Sequence, residues 1–139
     1  MRQLADIILR QDPARMPASA TVVAACQQMR DRRIGSVLVT GEGGRLVGIF
    51  TGRDAVCRVL ADGRNPATTT LGEVMTPDPD TMAPETSAIE ALRLMWDGGF
   101  RHVPVVREGR ILGLVSRGDF NGVEQDRLDE ERDLWEHLR

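Results

Sequence analysis

Two hydroxyl–aspartate pairs carry the clearest chemistry in this chain. Thr51 and Asp54 lie three positions apart in GIFTGRDA, Gly48 to Ala55, and Ser116 and Asp119 lie three apart in GLVSRGDF, Gly113 to Phe120. A hydroxyl followed three residues later by an acid is the pattern of a capping box, in which the hydroxyl accepts from a backbone N–H and the acid reaches back to the start of the helix. The same groups can instead serve a ligand. The hydroxyl and the helix N-terminal N–H groups would then face a phosphate, and the aspartate would accept from the vicinal hydroxyls of a ribose. A hydrolase built from Ser116, His102 and Asp119 is a third reading. It is set aside because Ser116 and Asp119 sit one turn apart with no second base or metal cluster to support them.

The pairs belong to an internal duplication. Moving 66 positions carries Thr21 to Ser87, Ala25 to Ala91, Met29 to Met95, Val37 to Val103 and Val39 to Val105, and moving 65 carries Gly48 to Gly113. The lost position falls in the glycine turn, GEGGR against REGR, where hairpin length varies most easily. In each copy a short lead-in, LADIILR or LGEVMT, runs into an Asp-Pro step that ends a helix and favours an extended path. A one-face helix is expected next, with Val22, Val23, Cys26 and Met29 in the first copy and Ala88, Ile89, Leu92 and Met95 in the second, capped by Thr21 and Ser87 and closing before Ile34 and Phe100. Two β-branched runs joined by a glycine turn predict a hairpin, and a second helix is expected to begin at each hydroxyl residue, carrying Val56, Val59 and Leu60, then Phe120 and Val123. The order is lead-in strand, helix, strand, strand, helix, twice. This reading divides the chain into a first repeat at 1–64, a linker at 65–70, a second repeat at 71–123 and an acidic C-terminal helix at 124–139. That tail holds seven acidic and three arginine side chains with Leu128, Leu134, Trp135 and Leu138 as its apolar set. It reads either as a solvated helix on the body or as a partner helix.

Composition excludes several functions. The net charge of -3 disfavours a nucleic-acid surface as the main business. All 18 basic residues are arginine, which removes any P-loop lysine, Schiff base or lysine general base. Cys26 and Cys57 are too far apart in sequence for a CxxC pair and are expected to be buried thiols. No apolar run reaches the ~20 residues of a membrane span or the length of a signal peptide, so the cytoplasm is the expected compartment.

The ordered pattern of IGSVLV with GIFTGRDA, then RHVPVV with GLVSRGDF, resembles the tandem cystathionine β-synthase (CBS) domain pair, or Bateman module, of the stand-alone bacterial type. The resemblance covers residues 1 to 123. It implies an α/β (α+β) fold of two β-α-β-β-α repeats packed about a pseudo-twofold axis, with two clefts that take adenosine-containing ligands. It makes Asp54 and Asp119 ribose binders, and makes Thr51 and Ser116 hydroxyl contacts near ribose or phosphate. It lends Arg53, His102 and Arg117 a phosphate role, and puts the main chain at Val37 and at Val103, Pro104 and Val105 beside the base. The first copy reads Gly52-Arg53-Asp54 and the second Arg117-Gly118-Asp119, so the arginine moves by one position and a phosphate clamp on one side is the expectation.

The resemblance further implies a regulatory sensor and no enzyme, with no required cofactor and no metal. AMP, ADP or ATP is the expected ligand ahead of NAD or S-adenosylmethionine. A homodimer and an unnamed protein partner complete the expectation. The alternative is a ligand-free structural dimerisation module whose aspartates only cap helices.

Overall fold

The computed structural model describes residues 2–99, 101–120 and 122–137. Phe100 and Leu138, named above, lie outside them, as does the side chain of Val123. The chain begins with a short helix α1 (Leu4–Ile7) and a strand β1 (Arg15–Pro17), then α2 (Val22–Arg32) and the hairpin strands β2 (Ser36–Thr40) and β3 (Leu46–Thr51). A helical turn, α3 (Gly52–Asp54), passes into a π-helical turn over Ala55–Leu60. The second copy continues with α4 (Leu71–Val74), β4 (Thr76–Pro77), α5 (Ala88–Gly98), β5 (His102–Arg107), β6 (Arg110–Ser116) and α6 (Gly122–His137). Helices and strands thus alternate as expected of a mixed fold with two repeats.

Local chemistry sets these boundaries. Thr21 Oγ1 accepts from Ala24 N–H at 3.2 Å and Ser87 Oγ from Glu90 N–H at 3.3 Å, so both expected N-caps form. Arg33 and Gly99 close the two helices in the left-handed region, at φ 55° and 72°. Glu108 and Gly109 both have positive φ, which gives β5 and β6 the tight two-residue turn that suits strand twist.

Two compact units result. One comprises Asp12–Asp80 with Glu108–Ile111, and the other Met1–Gln11, Thr81–Arg107 and Leu112–Arg139. In the first, β1 pairs parallel with β2, β2 antiparallel with β3, and β3 antiparallel with β4, giving the order β1-β2-β3-β4. Its core joins Val22, Ala25, Val37, Val39, Phe50 and Val59 to Leu71 and Val74 of α4. In the other unit β5 pairs with β6, Met82 bridges Val105 in parallel, and Met95, Val103, Val105 and Val115 pack with Leu4 and Ile8.

Each lead-in therefore joins the core of the other repeat. The same pair of backbone bonds fixes both exchanges: Leu4 N–H to Thr86 O and Ala5 N–H to Pro84 O, matched by Leu71 N–H to Ala20 O and Gly72 N–H to Ala18 O. The duplicated glycines make room for them. A Cβ on Gly48 would stand 2.3 Å from Met75 Sδ and 3.0 Å from Thr76 O, and one on Gly113 would stand 2.6 Å from both Cβ and Cγ2 of Ile8.

Two expectations are corrected, the helix start at Ser116 and the burial of Cys57. The helix expected to start at Ser116 is one 3₁₀ turn, Arg117–Asp119, after which Phe120 is extended (φ -90°, ψ 139°) and α6 begins only at Gly122. Phe120 turns its ring between two apolar clusters, where Ala55 in the first copy simply continues a helix. The apolar side chains after Asp54 do not share one face, because a π turn changes their phase: Val59 is buried while Val56 and Leu60 are exposed. Cys57 is exposed on that turn rather than buried, whereas Cys26 is half-buried and its thiol is pushed up by that burial.

Helix α6 rests on α5. Leu128 is buried with Ile89 and Leu92, a contact that contributes about 2 kcal/mol. Arg93 grips Glu131 through two nitrogens at 2.7 and 3.2 Å, and Arg132 lies 3.6 Å from Asp97, partly exposed pairs that add little. Trp135 is 70% exposed and Leu134 is exposed beside it.

Candidate functional site

Both hydroxyl–aspartate pairs form the capping geometry, but they are not equivalent. In the first, Thr51 N–H donates to Asp54 Oδ2 at 3.0 Å, the Thr51 hydroxyl donates to the same oxygen at 3.2 Å, and Asp54 N–H returns to Thr51 Oγ1 at 3.3 Å. The other carboxylate oxygen is also taken. Thr76 Oγ1 donates to Asp54 Oδ1 at 3.3 Å, and Arg58 Nε stands 3.6 Å from it. Asp54 is 7% exposed. This carboxylate is buried, paired and bonded on both oxygens, as a buried charge must be.

In the second pair Ser116 N–H donates to Asp119 Oδ2 at 2.7 Å and the Ser116 hydroxyl donates to it at 3.2 Å. Among the described residues no donor reaches Asp119 Oδ1, and the side chain is only half-buried. The reason lies in the sequence. Position for position, Thr76 corresponds to Leu9, the residue after Ile8 as Thr76 is the residue after Met75, and Arg58 corresponds to Val123. Both donors that close Asp54 have apolar counterparts in the second copy, and Leu9 is 80% exposed. Thr76 and Arg58 are the contributors missed by reading each motif alone; setting the two copies side by side would have found them.

The remaining candidates divide between the two units. With Asp54 lie Val37, whose side chain is fully buried opposite Phe50 in the β2–β3 pair, and Arg53, which is exposed. With Asp119 lie His102, Val103, Pro104, Val105 and Arg117. Val103 and Val105 are core side chains, so the main chain is what this strand offers, and Pro104 O already accepts from Met82 N–H at 3.1 Å. The His102 imidazole is held below its ordinary range, chiefly by burial and also by Arg101, with the Asp119 carboxylate opposing the shift. It is neutral near pH 7 and close enough to feel Asp119.

Arg117 points away from an open clamp. Its Nη2 donates to Met95 O at 3.0 Å, a carbonyl that also accepts from Gly99 N–H, and its guanidinium carbon lies 4.2 Å from the centroid of Trp96. Its Nε is buried with no acceptor among the described residues, an arrangement that costs about 1–3 kcal/mol. From the other side of the sequence Arg2 reaches the same turn. It holds Glu124 of α6 through Nε and Nη2, at 2.8 and 2.7 Å, and donates from Nη2 to Asp119 O at 3.2 Å. That carboxylate raises the Arg2 guanidinium further above its already high range.

A mixed fold of two repeats, each with a hydroxyl–aspartate turn after its hairpin, defines a class. The CBS domain family profile matches residues 4–60 and 71–123, and the chain belongs to that family. It is 39% identical over 100 residues to the CBS domain-containing protein CBSCBSPB1 of Arabidopsis thaliana, an alignment spanning 72% of this chain but 18% of that much longer protein. The CBS domain pair of protein MJ0100, solved in complex with 5′-methylthioadenosine and S-adenosyl-L-methionine, superposes with a TM-score of 0.75 at 25% identity over 84% of this chain and 94% of that one. The CBS domain protein PAE2072 of Pyrobaculum aerophilum, solved with AMP, shares the fold at a TM-score of 0.80 and 22% identity, covering 94% and 99% of the two chains.

Proposed function

We propose that this CBS pair is a sensor of an adenosine-containing ligand, and that the ligand is held at Asp119. The observation that carries this reading is the contrast between the two carboxylates. Asp54 has both oxygens committed, whereas Asp119 keeps Oδ1 for a ribose hydroxyl while Oδ2 stays on its cap. Ser116 and the main chain from Val103 to Val105 border the ligand, and the neutral His102 donates or accepts beside it. The adenosyl ligands of the MJ0100 pair support the class of ligand. AMP, ADP or ATP is the expected choice, ahead of NAD and S-adenosylmethionine.

The module turns over no substrate. It works in the cytoplasm as a homodimer, and ligand binding alters its affinity for a protein partner. Among the described residues no helix is long and apolar enough to cross a membrane. The completed caps at both aspartates favour one rival, a ligand-free structural dimerisation module.

Thermal unfolding against AMP, ADP, ATP, NAD and S-adenosylmethionine separates the two. A ligand at a hundred times its Kd adds about 2.7 kcal/mol, several degrees at this size. A raised midpoint that disappears in Asp119→Ala supports the sensor. Five flat curves would leave the capping module as the better account.

A further inference from the structure

We infer that occupancy of the Ser116–Asp119 site is reported by the C-terminal helix α6, through Arg117: an anionic ligand takes the guanidinium from Trp96 and loosens α6. This rests on the sensor reading above and adds its output. Arg117 lies between the two residues of the pair, yet its side chain serves α5, bonded to Met95 O and stacked on Trp96. The same ring is shared with α6, because Arg132 lies 5.2 Å from its centroid and 3.6 Å from Asp97. Arg2 makes a second tether, one guanidinium holding both Asp119 O and the Glu124 carboxylate of α6. The turn that would move on binding is thus joined to α6 at two points.

The balance of contacts favours a switch. Arg117 Nε is buried with no acceptor among the described residues, and Nη2 shares a carbonyl that Gly99 already uses. Phosphate oxygens would give the same guanidinium charge-assisted bonds, which are stronger. On the other side, α6 is weakly held. It buries Leu128 alone among its large apolar residues with described side chains, leaves Leu134 and Trp135 exposed, and is separated from the turn by the extended Phe120 and by Gly122. Elements of this kind open at low cost. Release would free α6 and its exposed Leu134 and Trp135 for another surface.

Hydrogen exchange of α6 amides, read beside calorimetry on the full chain, tests this. AMP should accelerate exchange across α6, and adenosine at equal occupancy should not, because it carries no anion for Arg117. Arg117→Met should exchange fast without ligand and respond no further to AMP. Reciprocity supplies a readout that a merely structural role would not move: Arg132→Met, which weakens α6 docking away from the site, should bind AMP at least about threefold more tightly.

AMP binding with unchanged α6 exchange, an equal response to adenosine, or unchanged affinity in Arg132→Met each overturns the switch while leaving the sensor reading intact. No binding heat with AMP, together with fast α6 exchange in Arg117→Met, overturns the nucleotide reading and the switch with it, leaving a structural tether.

Discussion

Gly113→Ala is the sharpest test of how the lead-ins are exchanged. A methyl at Gly113 would meet Ile8 Cβ and Cγ2 at 2.6 Å, closer than real Cβ contacts come. The Ile8 Cβ is fixed by its own backbone and its Cγ2 is stiff at χ1, so relief requires shifting a lead-in that is tied through Leu4 and Ala5 to Thr86 and Pro84. Overpacking of this kind costs about 1–3 kcal/mol, and the stiff neighbour places Gly113→Ala in the upper half of that range. At this chain length the midpoint should fall by roughly 5–12 °C. Gly48→Ala is the internal comparison. Its nearest obstacle is the thioether of Met75, which swings away, with Thr76 O at 3.0 Å left to be accommodated. The loss should be about 1 kcal/mol, and Met75→Ala in the same chain should recover part of it. Paired urea and thermal unfolding of the variants measures both values. Gly113→Ala as stable as the wild type would refute the crossing of Ile8 over Gly113, and with it the exchange of lead-ins.

Two further outcomes follow from the titratable groups. His102 is held below its unfolded value, so the unfolded chain takes up its proton first. The contribution is complete above about pH 6.5 and is lost as pH falls through the depressed folded value, so stability should decline below pH 6.5 and His102→Gln should flatten that part of the curve. A wild-type profile flat from pH 7 to 5.5 would contradict this burial. Cys57, exposed on its π turn, should react with a thiol reagent in the native protein well before Cys26, whose thiol is half-buried and raised by that burial. Equal rates without denaturant would contradict the placement.

Much of the architecture was legible because it is written twice. The caps at Thr21 and Ser87, the two hairpins and the capping pattern of Thr51–Asp54 and Ser116–Asp119 follow from spacing and residue type, and the structure realises each. The exchange of lead-ins was not legible, since periodicity says that Leu4 and Leu71 are apolar and equivalent but not which sheet each will cover. The π turn at Ala55–Leu60 and the extended Phe120 escaped for a related reason: both come from packing that overrides the local pattern. At the site, the motif located the carboxylates but hid their difference, because the donors that close Asp54 come from Thr76, in another part of the chain, and from Arg58, one turn beyond the motif. The arginine that shifts by one position was visible as a departure. Its commitment to Trp96 and Met95 O depended on α5 ending nearby.

Calorimetry with AMP on the wild type, Asp54→Ala and Asp119→Ala tests the central claim most directly. The account predicts one AMP per chain, no measurable binding heat in Asp119→Ala, and an affinity within about twofold of wild type in Asp54→Ala, as expected of independent sites. Binding that survives Asp119→Ala and is lost in Asp54→Ala would contradict it.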